Sequence, residues 1–346
     1  MAELNVAVVG CGYWGPNLIR NFAESKLTRV KYVVDLIPER LAKLSRRYPG
    51  TQFVSDFDKV LEDRELDAVV IATPVHTHYQ LAKQALLADK HVLVEKPMCL
   101  NSLECEELIA LAAARKLVLM VDHTFVYNGA VRRIKSAIDA GALGDVLYFD
   151  SVRINLGLIQ NDVNVIWDLA PHDLSIMDYL IGLEPTSVHA SGVSLVANKQ
   201  EEVAYLSLQF GSKFIANFHV SWLSPVKIRR ILVGGTQKMV VYDDLEATEK
   251  VKIYDKGVDV SATGDEDRYK TLVEYRAGDM LAPAYDLTEA LKVEVEHFAD
   301  CILNKKSPLT SGESGLRVVK MLEAANASLR SGQPESLVKK AEVLLR

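Results

Sequence analysis

Up to residue 122 the chain alternates short apolar runs with amphipathic stretches. Residues 4–9, 30–35, 67–73, 91–95 and 117–121 are Val-rich and show no polar–apolar alternation. That is the pattern of parallel strands buried on both faces. Between them, residues 38–44, 81–87 and 103–114 read as helices, the first opened by Pro38 at a favoured first helical position. Repeated strand–helix–strand units predict a doubly wound parallel sheet of the Rossmann type, an α/β fold. After residue 122 the period changes. A helix at 130–140 is stopped by Gly141, and strands are predicted at 146–155, 187–196, 203–210, 214–222, 227–233 and 238–242. Phe214, Ala216, Phe218, Val220 and Trp222 alternate with Ile215, Asn217, His219 and Ser221, which marks one apolar face. Residues 257–283 read as a polar loop, and helices return at 287–304 and 313–331. Two domains are expected: 1–122, and an α+β domain over 123–346 with a large, mainly antiparallel sheet.

The length of 346 residues agrees with two domains. Hydrophobic residues make up 49% and charged residues 25%, which excludes a disordered chain. The net charge of −6 argues against nucleic acid or an anionic membrane as partner. No apolar run approaches a bilayer span, and Met1-Ala2-Glu3-Leu4-Asn5 lacks a secretory signal, so a cytoplasmic protein is expected. Cys11, Cys99, Cys105 and Cys301 show no metal or redox spacing and are expected as free, buried thiols.

Gly10-Cys11-Gly12-Tyr13-Trp14-Gly15 follows the first strand and opens a helix, the context that a dinucleotide-binding Gly-x-Gly-x-x-Gly requires. Gly10 permits the tight turn, Gly12 a close approach to pyrophosphate, and Gly15 the helix–strand packing. The competing reading is a tight turn and nothing more. Asp35 ends the second run, where a carboxylate accepts from both ribose hydroxyls and repels a 2′-phosphate. NAD is therefore favoured over NADP, with Arg40 softening the preference. The loop Ala72-Thr73-Pro74-Val75-His76-Thr77-His78 follows a parallel strand, at the end where ligands bind, and is placed on the nicotinamide side. His76 and His78 have no third ligand in view, so no metal is expected.

Glu95-Lys96-Pro97 ends the 91–95 run. A lysine there can hydrogen-bond a substrate hydroxyl and stabilise a developing alkoxide; the bland alternative is a surface lysine. Trp167-Asp168-Leu169-Ala170-Pro171-His172 puts Asp168 and His172 four apart, on one helix face. Pro171 is tolerated if Asp168 caps that helix. An imidazole beside a carboxylate is a proton acceptor near neutral pH; the alternative is a helix cap and a packed histidine.

Together these motifs resemble the glucose–fructose oxidoreductase / inositol dehydrogenase / rhizopine-catabolism (Gfo/Idh/MocA) family over nearly the whole chain. The resemblance implies Lys96 as the catalytic lysine, with Asp168 and His172 as the Asp-x-x-x-His pair. It implies a cofactor site of Gly10, Gly12, Tyr13, Trp14, Gly15, Asp35, Thr73, Pro74, His78, Glu95 and Lys96, and Tyr127 and Asn128 on the substrate wall. The segments 12–18, 122–128 and 221–229 look most like nucleotide-sugar members such as UDP-N-acetylglucosaminuronate 3-dehydrogenases. The stretch 161–166 lacks the Gly-Gly run of many relatives, so inositol or glucose specificity does not carry over. Lys227, Arg229 and Arg230 can meet a diphosphate or form a solvated charge run. Expected partners are a sugar or nucleotide sugar and further copies of the chain, as dimer or tetramer across the open sheet face. The alternatives are a polyol dehydrogenase and a non-catalytic NAD(H)-sensing protein.

Overall fold

The computed structural model describes residues 3–157, 159–160, 162–196, 200–260, 273–276 and 278–338. They form two compact units, Met1–Asn128 with Thr288–Lys320, and Gly129–Leu287 with Met321–Arg346.

The first unit carries β1 (Leu4–Val9), α1 (Gly15–Glu24), β2 (Thr28–Val34), α2 (Pro38–Ser45), β3 (Gln52–Val54), α3 (Phe57–Leu61), β4 (Ala68–Ile71), α4 (His78–Leu87), β5 (His91–Glu95), α5 (Ser102–Arg115) and β6 (Leu119–Asp122). Its strands are all parallel, in the order β3-β2-β1-β4-β5-β6. The order reverses between β1 and β4, and the crevice beyond their carboxyl ends is where open α/β sheets bind ligands. Val6, Val8, Val69, Val70, Val92 and Leu93 have no exposure, because helices cover both faces. β3 and α3 were not expected. At three and five residues they are too short for a periodic pattern to register.

The second unit holds α6 (Gly129–Asp139), β7 (Val146–Leu156), α7 (Val165–Ile181), β8 (Ser187–Val193), β9 (Val203–Phe210), β10 (Phe214–Ser221), β11 (Leu223–Gly235), β12 (Met239–Asp243), β13 (Val251–Tyr254), β14 (Gly257–Val260), β15 (Val273–Arg276) and β16 (Met280–Leu281). Two helices follow, α8 (Ala290–Asn304) and α9 (Gly312–Ser331), then β17 (Glu335–Ser336). Nine strands form one sheet, β16-β13-β12-β11-β7-β10-β9-β8-β17, antiparallel except where β7 pairs with β10. The apolar face of β10 is buried as its alternation requires, and α7 packs against it. Within the expected 257–283 loop, β14 and β15 pair as a hairpin. Residues 261–272 and 277, like Asn161, lie outside the described residues.

Thr288–Lys320 belongs to the first unit, although the sequence placed everything after residue 122 in the second. Phe298 of α8 meets Phe22 of α1 edge to face at 6.2 Å, with Leu291, Val295 and Ala299 buried beside it. Arg20 of α1 grips Glu289 through both terminal guanidinium nitrogens, Nη2 at 2.6 Å and Nη1 at 3.1 Å. A contact between residues 22 and 298 leaves no trace in local periodicity.

α7 also starts earlier than expected. Asn164 is its N-cap, accepting from the Trp167 N–H at 3.2 Å, so Asp168 is not the cap. Pro171 consequently sits inside the helix. All four cysteines are free and buried, and among the described residues no helix is long and apolar enough to cross a membrane.

β7 and α7 are joined by a fully buried ion pair. Arg153 donates to both oxygens of Asp173, Nε to Oδ2 at 2.9 Å and Nη2 to Oδ1 at 2.6 Å, and Ser151 adds a third donor at 2.7 Å. Removing one partner strands a charge in the interior. Asp173→Ala is expected to cost about 3–5 kcal/mol in urea unfolding. A loss below about 1 kcal/mol would contradict the pairing.

Candidate active site

The crevice at the switch point is a cleft of about 700 Å³ lined by the glycine loop, Asp35, Arg40, Thr73, Pro74, His76, Glu95 and Lys96, among others. Gly10 has φ +100°, and any Cβ there would strike the Ala72 carbonyl at the end of β4. A Cβ at Gly15 would strike the Gly10 carbonyl, so α1 can lie against β1 only with glycine at both positions. Around Gly12 there is open space, and α1 has no side-chain cap. Backbone N–H groups at the head of α1 thus face a cavity with room for a pyrophosphate. Tyr13 is 93% exposed over this loop.

Asp35 is 8% exposed. Its Oδ2 accepts from the Cys11 N–H at 2.6 Å and its Oδ1 from the Ile37 N–H at 2.8 Å, while Arg40 stands 3.6 Å away. These bonds set the plane of the carboxylate, and each oxygen has a second lone pair for a ribose hydroxyl. The neighbouring Cys11 thiol is pushed up to about 12 by burial, with the Asp35 charge adding to it.

His78 does not line the cleft; it braces it. The ring is 1% exposed, with Nδ1 2.9 Å from the Pro97 carbonyl and Nε2 2.8 Å from the Thr73 carbonyl. It therefore spans the two loops that follow β4 and β5. Both neighbours are acceptors, and a neutral ring donates to one only. Burial holds its pKa below the ordinary value although the two carbonyls pull the other way. The Lys96–Pro97 peptide is cis.

Behind Lys96 lies a cluster that sequence reasoning missed as a unit. Asp122 Oδ2 accepts from the Trp14 indole N–H at 3.1 Å, and Oδ1 accepts from the Thr124 hydroxyl. Glu95 is half-buried, but its carboxyl turns inward to Asp122. Glu294, with no exposure, reaches Asp122 from α8. Burial first, and then the Asp122 charge, holds both glutamates well above the usual carboxylate range. Three carboxyls crowded into a buried site disfavour charge on the two glutamates. The available signal was an acid inside the apolar stripe Leu291, Glu294, Val295, Phe298. His123 is buried beside them with neither ring nitrogen bonded among the described residues, and burial pushes it down to about 4.

Tyr127 is not on a ligand wall. It is 2% exposed, and its hydroxyl pairs with Thr310 at 3.1 Å inside the first unit. Asn128 follows it, half-buried at the end of the short turn Thr124–Tyr127. In the second unit Asp168 and His172 share one face of α7, both half-buried, and the Trp222 indole N–H donates to Asp168 Oδ2 at 2.8 Å. Arg229 and Arg230 lie on β11, a strand paired on both sides, and form ion pairs with Asp244 and Asp243 at 3.4 and 2.8 Å.

Two outcomes follow from this geometry. His123 is kept neutral in the fold but takes a proton in the unfolded chain below its ordinary value of 6.5. Its contribution is complete above that pH and is lost as pH falls toward 4, roughly 3 kcal/mol in all. His123→Phe should therefore flatten the wild-type decline in unfolding free energy between pH 6.5 and 4; parallel curves would contradict the burial argument. Asp35→Ser should raise the NADP-to-NAD ratio of kcat/KM by roughly tenfold or more, because the repulsion of a 2′-phosphate is removed. An unchanged ratio would place the adenosine ribose elsewhere.

Known proteins match both parts of the chain. Residues 4–123 match the model of the oxidoreductase family NAD-binding Rossmann fold, and residues 131–241 match the GFO/IDH/MocA C-terminal domain. The chain is 29% identical to the UDP-N-acetylglucosamine 3-dehydrogenase of Acidithiobacillus ferrooxidans, over 92% of this chain and 95% of that protein. It is 26% identical to the scyllo-inositol 2-dehydrogenase (NAD(+)) of Bacillus subtilis, over 98% of each chain. The crystal structure of GenD2 from gentamicin A biosynthesis in complex with NAD superposes with a TM-score of 0.82 at 25% identity, covering 98% of this chain and 97% of that one. The protein belongs to the Gfo/Idh/MocA family of NAD-binding oxidoreductases.

Proposed function

We propose that the protein is an NAD-dependent dehydrogenase or ketoreductase acting on one hydroxyl or ketone of a sugar, and that this sugar is nucleotide-linked, in the manner of a UDP-N-acetylglucosaminuronate 3-dehydrogenase. The observation that carries the reading is Lys96, which stands at the end of β5 in the wall of the dinucleotide cleft beside Thr73 and Pro74. The nucleotide-sugar relative, which aligns over 92% of the chain, supports the substrate class.

When bound, the nicotinamide supplies the hydride acceptor or donor. The glycine loop and Asp35 hold the dinucleotide. Lys96 donates a hydrogen bond to the reacting oxygen and stabilises the negative charge that grows on it. His172 takes the hydroxyl proton in oxidation and returns it in reduction, with Asp168 orienting the imidazole or a neighbouring hydroxyl.

Lys96→Met and His172→Ala should each lower kcat by at least about 100-fold, with NAD binding kept within a few-fold by cofactor fluorescence titration. The substrates are UDP-N-acetylglucosamine, its uronate and free sugars. Near-wild-type turnover in both variants refutes the assignment. Turnover of inositol, with none of the nucleotide sugars used, moves the reading to the polyol class favoured by the scyllo-inositol relative.

A further inference from the structure

Trp222 fills the single position between β10 and β11 and is 1% exposed. All of its polar groups are engaged. The backbone N–H donates to the Glu202 carbonyl at 2.9 Å, and the carbonyl accepts from the Gly157 N–H at 2.9 Å. The indole N–H donates to Asp168 Oδ2 at 2.8 Å. An indole only donates, so the bond has one direction. A donor on a carboxylate also makes one of the stronger hydrogen bonds.

The indole is held where it is by its surroundings. A Cβ at Gly157 would stand 3.1 Å from Trp222 Cδ1 and 2.8 Å from Asn155 Nδ2, so any larger residue there crowds the ring. Glu202 is fully buried and is itself tied down, its carboxylate accepting from the Leu195 N–H at 2.6 Å and the Val196 N–H at 3.4 Å. Trp167 gives the contrast. It precedes Asp168 in sequence and is also buried, yet its Nε1 has no partner among the described residues. Burying an indole in this unit does not by itself aim its N–H at a carboxylate.

We infer that Trp222 is a positioning residue for the reaction: its indole N–H fixes the plane of the Asp168 carboxylate, and through it the His172 imidazole one helical turn on or the substrate hydroxyl that Asp168 meets. The terminal torsion of an aspartate is broad, so an untethered carboxylate samples many orientations. Catalysis by orientation loses rate quickly when a group strays by an ångström. The inference rests on the role given to Asp168 under the proposed function.

Trp222→Phe keeps the aromatic bulk and deletes the donor. It is compared with Asp168→Ala and with the double variant, using whichever sugar of the panel the wild type oxidises fastest. Trp222→Phe should lower kcat roughly 10- to 100-fold. The Kd for NAD should stay within about twofold, with the variant still folded at the assay temperature by circular dichroism. In the Asp168→Ala background, which leaves the indole N–H no side-chain acceptor at position 168, it should lower kcat no further, because the bond it deletes serves only Asp168. Gly157→Ala, which crowds the indole but keeps its N–H, should lower kcat by a smaller factor. A Trp222→Phe protein within about twofold of wild-type kcat overturns the inference. So does an equal loss in both backgrounds, which is the signature of packing alone. An Asp168→Ala protein at full activity fails the reading of the site itself and takes the inference with it.

Discussion

The first unit depends on how closely two backbones pass at the switch point. The turn after β1 lies against the carbonyl end of β4, and no atom larger than hydrogen fits at Gly10. That approach sends α1 off at the angle where its uncapped N–H groups face the crevice. It also brings the loops after β1, β4 and β5 to one edge of the sheet. A phosphate-binding helix terminus and the Glu95-Lys96 strand end then line the same cleft without any element being bent to bring them together.

Charge burial adds a second layer. The first unit places Glu95, Asp122, Glu294 and His123 in low-dielectric surroundings close to Lys96, and both the glutamates and the histidine are driven toward their neutral forms. The second unit instead pairs opposite charges, Arg153 with Asp173, where two guanidinium hydrogen bonds and the Ser151 hydroxyl meet the carboxylate. A buried ion pair with satisfied hydrogen bonds fixes geometry, whereas a cluster of buried acids is driven toward neutral forms. The protein uses the first beneath α7 and the second beside the cofactor cleft.

How much of this the sequence disclosed follows from the range of each interaction. That Gly10, Gly12, Asp35 and Lys96 meet at one cleft was legible from local spacing and from position at a strand end, and the strands announced themselves through apolar runs. The alternation in β10 was read residue by residue. Asn164 as the cap of α7 escaped, because Asp168 offers the same capping chemistry a few residues on, and the choice was made by Glu201 and Asn326 anchoring Asn164. Tyr127 was drawn inward by Thr310, a partner 183 positions away. His78 looked like a loop residue until Thr73 and Pro97 closed on it from two strands. The Trp222 bond to Asp168 was invisible for the same reason, since nothing local connects residues 168 and 222.

The edge-to-face pair of Phe22 and Phe298, with the Arg20–Glu289 grip beside it, has a consequence for synthesis. A chain made from its amino terminus exposes the strands of the first unit early, and domains commonly fold as they emerge. Here Phe22 waits for a ring that lies nearly 280 residues downstream. Until α8 has left the ribosome, the back of α1 presents an uncovered apolar patch.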